Sequence, residues 1–322
     1  MSVSDALAGV PPSVQTQSLR KIYRSNVAVD DLSISVAQGE VFGFLGPNGA
    51  GKTTSVKMLT GLVKPSGGSG TLLGRSIGDK SSRKQVGFLP ELFRFHDWLN
   101  AVELLDMHGK LYGMASAERA RRIPEVLELV GLIDRREDRL RTYSKGMQQR
   151  AGLAQALLHD PLLVFLDEPT SALDPIGRRQ VRDIILALKS QGKTVFLNSH
   201  LLSEVEMVCD RVAVMNHGKV VAVGPVGELL RGQLVVEFRV GNWNKAIEEE
   251  VSAFGTVESV TTGDSGASLI LTSLDGENCV PPIVNCLVQH CVAVYGVTTE
   301  RKTLEDLFID LVDVGDRARY GR

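Results

Sequence analysis

The alternation of apolar and polar residues changes period along the chain, and these changes predict its regions. From Val27 the alternation has a period of two and predicts two strands separated by a turn at Gln38–Gly39. The second strand, Val41–Leu45, is apolar throughout, which is typical of a strand buried on both faces. Between residues 91 and 160 the apolar spacing changes to about 3.6 residues and predicts an all-helical insertion. Strands and helices then alternate again over residues 162–223.

The last part of the chain has a pattern of its own. After residue 230 the predicted elements follow the order βαββαβ, the order of the ferredoxin-like fold. The first 15 residues show no periodicity. We therefore expect a flexible tail over residues 1–15, an α/β domain over 16–230 with a helical subdomain at about 92–158, and a small α+β domain over 231–322.

Composition narrows the possible partners. The 322 residues carry 36 Lys+Arg against 38 Asp+Glu, a formal charge of -2, so no overall positive field favours nucleic acid. No run of roughly 18 apolar residues predicts a membrane span. No basic segment precedes an apolar one at the N-terminus, so we expect a cytoplasmic protein without a secretory signal.

One motif predicts phosphate binding. It follows the buried strand Val41–Leu45 and opens a helix, and it fits the pattern G-x-x-x-x-G-K-[ST]. Its residues are Gly46, Pro47, Asn48, Gly49, Ala50, Gly51, Lys52, Thr53 and Thr54. The glycines allow backbone N–H groups to converge on phosphate oxygens, Lys52 neutralises the β and γ oxygens, and the Thr53 hydroxyl is a ligand for Mg²⁺. The motif predicts ATP-type nucleotide and magnesium as the bound species.

An acidic pair ends a second apolar strand. Asp167 and Glu168 follow Leu162–Leu166 directly. This placement suits Asp167 as an outer Mg²⁺ ligand and Glu168 as the group that polarises the attacking water. The alternative is an acid pair that only caps the turn after the strand.

A third motif separates the families of nucleotide-binding proteins. The segment Tyr143–Arg150, YSKGMQQR, opens a helix shortly before the acidic pair. With it, residues 17–230 resemble the ATP-binding cassette (ABC) family, whose signature is L-S-G-G-Q. The resemblance implies a phosphate-loop α/β core with an antiparallel β portion and a helical subdomain, and it implies ATP hydrolysis. It also implies head-to-tail dimers, in which Ser144, Gly146 and Gln148 of one signature helix face the γ-phosphate held by the other copy.

The same resemblance assigns roles to isolated residues. Tyr23 is similar to the aromatic residue that stacks on adenine, with Val29 nearby. Asp174, at the end of Ser171–Asp174, is similar to the loop that crosses the dimer interface, and His200 to the histidine that contacts the γ-phosphate. Each has an ordinary alternative: a surface aromatic, a helix N-cap before a proline, and a core histidine.

Two departures from the family pattern indicate a branch. Glu91 stands where most members carry glutamine, and its carboxylate is a further candidate for Mg²⁺ or the attacking water. Lys145 and Met147 replace residues of the signature. Both variants, and the segment Leu304–Phe308, resemble ATPases of export-type transporters. That branch implies a homodimer on the cytoplasmic face of the membrane, attached to a separate polytopic permease subunit.

Three alternatives accompany this interpretation. The chain could be a soluble mechanochemical ATPase of the same family that acts on nucleic acid, ribosomes or an assembly complex, but a single cassette and the mildly acidic charge argue against it.

The spacing of Cys279, Cys286, His290 and Cys291 fits no zinc pattern, and their apolar neighbours favour core packing. The stripe of Leu304, Leu307, Phe308 and Leu311 predicts either an interface or packing on its own sheet.

Overall fold

The chain forms two units in a computed structural model that describes residues 11–171, 173–230, 234–241, 245–263, 266–273, 276–301 and 303–320. The first unit runs to Pro225 and takes in the chain again from Leu311, and the second is Val226–Asp310. The sequence places this boundary at residue 230 and assigns everything beyond it to one domain. In the structure the last strand of the first unit ends at Pro225, and the backbone is helical from Val226.

The strands of the first unit are β1 (Val14–Tyr23), β2 (Asn26–Leu32), β3 (Ser35–Val36), β4 (Val41–Leu45), β5 (Gly67–Leu72), β6 (Arg75–Ser76), β7 (Val86–Leu89), β8 (Leu163–Asp167), β9 (Thr194–Asn198), β10 (Arg211–Asn216) and β11 (Lys219–Pro225). Its helices are α1 (Lys52–Leu59), α2 (Lys80–Arg83), α3 (Ala101–Leu111), α4 (Ser116–Leu129), α5 (Lys145–Leu157), α6 (Pro175–Ser190) and α7 (Leu202–Val208).

These strands join in one mixed sheet in the order β6-β5-β1-β2-β11-β10-β4-β9-β8-β7, with β3 paired to β1. The pairs β10–β4, β4–β9, β9–β8 and β8–β7 are parallel, whereas β1 pairs antiparallel with β2, β3 and β5. The carboxyl ends of β4, β8 and β9 therefore meet at one edge. This combination of a parallel core and an antiparallel portion confirms the predicted fold class.

Aromatic side chains hold the parallel strands together. Phe196 of β9 packs against Phe42 and Phe44 of β4 and against Phe165 of β8, with ring centroids 5.1 to 5.6 Å apart, and all four rings are fully buried. Such tilted pairs add about 0.5–1.5 kcal/mol each beyond their burial of apolar surface. This packing fixes the strand ends that carry the functional residues.

Strand β1 corrects the expected tail. It begins at Val14, inside the segment 1–15, and residues 1–10 lie outside the described part of the chain. Its burial does not alternate, because Ser18 adopts a left-handed φ of 45° and the pairing with β2 shifts register between Leu19 and Lys21. A bulged strand loses the period of two on which a sequence pattern depends.

The helices α3, α4 and α5 pack on one another within the segment predicted to be a helical insertion. Helix α3 begins with a capping box, in which Asn100 Oδ1 accepts from the Glu103 N–H at 2.8 Å and Glu103 Oε2 accepts from the Asn100 N–H at 2.9 Å. Helix α5 starts at the signature motif, so the packing of this subdomain positions the signature.

The second unit contains α8 (Val226–Leu229), β12 (Leu234–Val240), α9 (Lys245–Val251), β13 (Thr256–Gly263), β14 (Gly266–Ser273), α10 (Val280–Gln289), β15 (Val294–Arg301) and the start of α11 (Leu304–Tyr320). Its strands form an antiparallel sheet in the order β13-β14-β12-β15. The element order and this sheet agree with the predicted α+β plan.

The apolar stripe of α11 is largely core. Leu304 and Leu307 are buried, Phe308 and Leu311 are half-buried, and Ile309 is exposed. The stripe therefore does not present the apolar face expected of an interface. Across the described helices, none combines the length and the hydropathy needed to cross a bilayer.

Candidate nucleotide-binding site

The phosphate loop joins β4 to α1 and needs glycine at two positions. Gly46 has a φ of 158°, and a Cβ there would lie 2.3 Å from the carbonyl oxygen of Met215. Gly51 precedes α1 with a φ of 106°, and its Cβ would lie 2.4 Å from the carbonyl oxygen of Ala28. Side chains are therefore excluded where the loop passes close to neighbouring backbone.

Lys52 lies at the centre of the site. Its side chain is buried at 8% exposure, and Nζ donates to the carbonyl oxygens of Gly46 at 2.6 Å and Pro47 at 3.2 Å. Burial lowers the pKa of Lys52, while the nearby carboxylates of Glu168, Asp167 and Glu91 raise it. The ammonium group is thus held over the phosphate loop with three carboxylates within electrostatic reach.

Asp167 is the buried acid of the site. It ends β8 at 2% exposure and accepts a hydrogen bond from Asn198 Nδ2 at 2.5 Å. Burial raises the pKa of Asp167, the Asn198 hydrogen bond lowers it, and the charges of Glu91 and Glu168 raise it further. Asn198 Oδ1 is buried without a hydrogen-bond partner. A buried carboxylate crowded by two others, beside an unsatisfied carbonyl oxygen, suits a hard divalent cation with oxygen ligands.

Glu168 and His200 form a pair. Glu168 Oε2 lies 2.6 Å from His200 Nδ1, and the Glu168 side chain is 11% exposed against 55% for His200. Glu168 adopts a left-handed φ of 55°, which costs a non-glycine residue roughly 1–2 kcal/mol. Its N–H donates to the Asn198 carbonyl at 2.8 Å, which holds this conformation. The carboxylate is therefore fixed at the edge of the site, and the histidine faces solvent.

The signature residues lie at the N-terminus of α5. Ser144 caps α5 by accepting from the Met147 N–H at 3.2 Å, and both Ser144 and Lys145 are exposed. Gly146 is half-buried and lies against Leu173. Gln148 is half-buried as well. The charges that act on Lys52 come from β7, β8 and the segments that follow them, whereas the N-terminus of α5 is open to solvent.

The structure treats two other predicted contact residues, Asp174 and Tyr23, differently. Asp174 caps α6 by accepting from the Gly177 N–H at 2.7 Å, as the ordinary alternative requires, and Ala172 of the same loop lies outside the described residues. Tyr23 is exposed at the end of β1 and lies under Lys21 Nζ, 4.9 Å from the ring centroid. Its ring remains available for stacking from the other face.

Val29 corrects the prediction of a nucleotide contact. The Val29 side chain is fully buried. Its Cγ2 would lie 3.3 Å from a Cβ placed on Gly51, so Val29 packs against the phosphate loop. A cavity of about 750 Å³ beside the loop is lined instead by Val27, Ala28 and Gly49, among others. Burial of Val29 in the core leaves no surface of its side chain for a nucleotide.

Comparison with known proteins agrees with this geometry. A family model described as "ABC transporter" matches residues 29–171. The bacitracin transport ATP-binding protein BcrA of Bacillus licheniformis is 35% identical over 94% of this chain and 98% of its own length. The chain belongs to the ABC transporter family. The chain is therefore an ATP-binding protein, as the sequence predicts.

Other members of the ABC family match about two thirds of the chain. An uncharacterized ABC transporter ATP-binding protein of Synechocystis, sll0415, is 52% identical over 67% of this chain, and the match spans 64% of that relative. The Nod factor export ATP-binding protein I of Cupriavidus metallidurans is 37% identical over 69% of this chain and 74% of its own. A solved structure described as the ATP-binding subunit of an ABC transporter superposes with a TM-score of 0.62 at 29% identity, covering 67% of this chain and 91% of that one.

Sequence reasoning missed one residue of this ABC site. Asn198 donates to Asp167 and accepts from the N–H of Glu168, so it contacts both members of the acidic pair. The available signal was its position at the end of an apolar strand, directly before Ser199 and His200. The sequence does not give the order of the strands, so it could not show that Asn198 lies beside β8.

Proposed function

We propose that this chain is the ATP-hydrolysing subunit of an export-type transporter and that it works as a dimer on a separate membrane permease. The observation that carries the proposal is the fixed Glu168 carboxylate, 2.6 Å from His200, at the edge where Lys52 and Asp167 meet. One relative that matches 94% of the chain is named for bacitracin transport, and one that matches 69% of it is named for Nod factor export.

Each residue of the site has a distinct task in this proposal. Lys52 leaves its two loop carbonyls to neutralise the β and γ phosphates. Thr53 and Asp167, with Glu91 close by, would hold Mg²⁺, whose charge neutralises the phosphate oxygens when it is bound. Glu168 accepts a proton from the attacking water, and His200 keeps the carboxylate in position through Nδ1.

The site is completed by a second copy. The N-terminus of α5 carries partial positive charge and is open to solvent, with the Ser144 hydroxyl beside it. We expect Ser144→Arg to abolish ATP hydrolysis while nucleotide binding to the monomer is retained, because a bulky cation replaces the donor that faces the partner's γ-phosphate. Full hydrolytic activity of this variant would contradict the shared site.

A permease partner separates this proposal from the soluble alternative. Tagged Glu168→Gln protein, which we expect to bind ATP without turning it over, is incubated with ATP and captured from a detergent extract of the native membranes. We expect a polytopic membrane protein to co-purify, and wild-type hydrolysis to rise when that protein is added. Lys52→Ala serves as the control that should not respond. Co-purification of RNA without a membrane protein would favour the soluble alternative.

A further inference from the structure

A cysteine, a histidine and a glutamate meet on two helices of the second unit. Cys286 lies in α10 and His290 caps its end, so the two residues are one helical turn apart on the same face. Glu250 lies in α9. One ligand atom from each residue lies within 4.8 Å of the other two, although no motif of the ATPase extends into this unit. The three side chains therefore offer one sulfur, one nitrogen and one oxygen at a single point.

The distances are close to those of a metal centre. Glu250 Oε1 lies 3.1 Å from His290 Nε2, and Glu250 Oε2 lies 3.6 Å from Cys286 Sγ. Zinc bonds of about 2.0–2.3 Å in a tetrahedron place the ligand atoms about 3.6 Å apart. No two of the three ligand atoms lie more than 4.8 Å apart, so the widest separation exceeds that value by at most about 1.2 Å.

The donor set selects a class of metal. Thiolate and imidazole ligands favour Zn²⁺ and similar transition metals, whereas Mg²⁺ and Ca²⁺ prefer oxygen ligands alone. Three protein ligands leave a fourth position open to water or to a group from another molecule. His290 is 34% exposed on its side chain, so an ion can reach the trio from solvent.

The structure also shows why the sequence argued against metal. Cys279 is buried in the core of the second unit, and Cys291 is exposed with a left-handed backbone. Neither cysteine belongs to the trio, so the spacing of the cysteines does not describe its ligands. The third ligand, Glu250, precedes Cys286 by 36 residues. A ligand at that separation belongs to no local motif, and only the packing of α9 against α10 brings it to the trio.

We propose that Glu250, Cys286 and His290 form a zinc-binding site that links α9 to α10. Binding of the ion replaces the two contacts that the Glu250 carboxylate makes with the histidine and the thiol. The thiol proton is released to solvent, and the ring proton of His290 is carried on Nδ1 so that Nε2 is free to bind the ion. The bound ion cross-links two helices that otherwise meet through side-chain packing, so it stabilises the second unit by an amount that rises with the logarithm of the zinc concentration above the dissociation constant.

The test uses the full-length, reduced protein after treatment with a chelator, in excess Mg²⁺ so that the nucleotide site is saturated. Zn²⁺ is titrated against a chromophoric chelator, and Co²⁺ is used as a spectroscopic probe, because thiolate ligation gives a sulfur-to-cobalt charge-transfer band. The ligand variants are Glu250→Gln, Cys286→Ser and His290→Ala. The matched controls are Glu249→Gln, on the same helix as Glu250, and Cys291→Ser, an exposed cysteine outside the trio.

We expect one Zn²⁺ per chain in the wild type and in both controls. Each ligand variant should bind at least about 10–100-fold more weakly, since loss of a supporting partner alone has that effect on metal affinity. The charge-transfer band should disappear in Cys286→Ser and persist in Cys291→Ser. Absence of stoichiometric zinc in the wild type, or zinc affinity in Cys286→Ser equal to that of the wild type, would overturn the proposal.

Discussion

Replacing Glu168 by glutamine separates the chemistry of the site from its assembly. The change removes one charge and one proton acceptor but keeps the shape of the side chain. The amide oxygen of the glutamine can still meet His200 Nδ1, now 2.6 Å from the carboxylate, and the backbone bond to Asn198 is untouched. We therefore expect ATP binding and the fold to be retained.

The expected loss of hydrolysis follows from the burial of the carboxylate. A general base contributes about 10²- to 10⁴-fold in rate, which corresponds to about 2.7–5.4 kcal/mol at 1.36 kcal/mol per decade. The Glu168 side chain is only 11% exposed, so bulk water cannot readily take over its role. We expect the loss to lie in the upper half of that range.

The assay is phosphate release in a single turnover, with nucleotide affinity measured separately on the same preparation. Glu118→Gln, an exposed acid at the start of α4, is the matched control and should behave as the wild type. A double mutant with His200→Ala tests the pair: if His200 acts through Glu168, the double variant loses no more than Glu168→Gln alone. Turnover of Glu168→Gln within tenfold of the wild type would refute the reasoning.

Three further predictions test the phosphate loop, Glu91 and the half-buried His159. In urea denaturation, Gly51→Ala should lower the free energy of unfolding more than Gly49→Ala. A Cβ at Gly51 would lie 2.4 Å from a carbonyl oxygen, whereas a Cβ at Gly49 has no atom within 4 Å. The Gly49 variant therefore carries only the strain of its left-handed backbone, about 1–2 kcal/mol. Glu91→Ala should impair permease-stimulated hydrolysis more than basal hydrolysis, and equal losses would indicate a purely catalytic role. Burial lowers the pKa of His159 to about 4 in the folded chain, against about 6.5 in the unfolded chain. As the pH falls from about 6.5 towards 4, the unfolded chain is protonated at this residue before the folded chain, so the folded state loses stability. Urea denaturation should show that the free energy of unfolding falls by about 2 kcal/mol between pH 7 and pH 4.5, and this fall should be absent in His159→Gln.

Much of the first unit could be predicted because its strongest signals are local. The phosphate loop, the apolar strand before it and the helix after it are contiguous, and so are β8 and its acidic pair. Apolar strands buried on both faces give unbroken hydrophobic runs, which is how Val41–Leu45 and Thr194–Asn198 could be recognised. The element order of the second unit could be predicted for the same reason, since each strand and helix carries its own period.

Predictions failed where the decisive contact joins distant parts of the chain. Val29 alternates like a strand residue, and only the passage of the phosphate loop over β2 shows that its side chain is inside the core. The bulge in β1 at Ser18 removes the alternation, although the strand forms long ladders with both β2 and β5. Glu250 joins the histidine and cysteine of α10 only after the second unit has packed. In each case the local pattern is correct and the tertiary partner is missing from it.

The end of β9 shows how the order of the strands produces the chemistry. Asp167 and Asn198 are register partners in the parallel pair β8–β9, although 31 residues separate them in the chain. That register lets the Asn198 side-chain amide donate to the buried Asp167 while the backbone carbonyl of Asn198 accepts from the N–H of Glu168. The second bond offsets the cost of the left-handed backbone at Glu168, and this backbone directs the carboxylate to His200, two residues beyond Asn198. A shift of β9 by one residue would remove both bonds together. Both bonds therefore depend on one strand pairing, which places Asp167 and Glu168 beside Asn198.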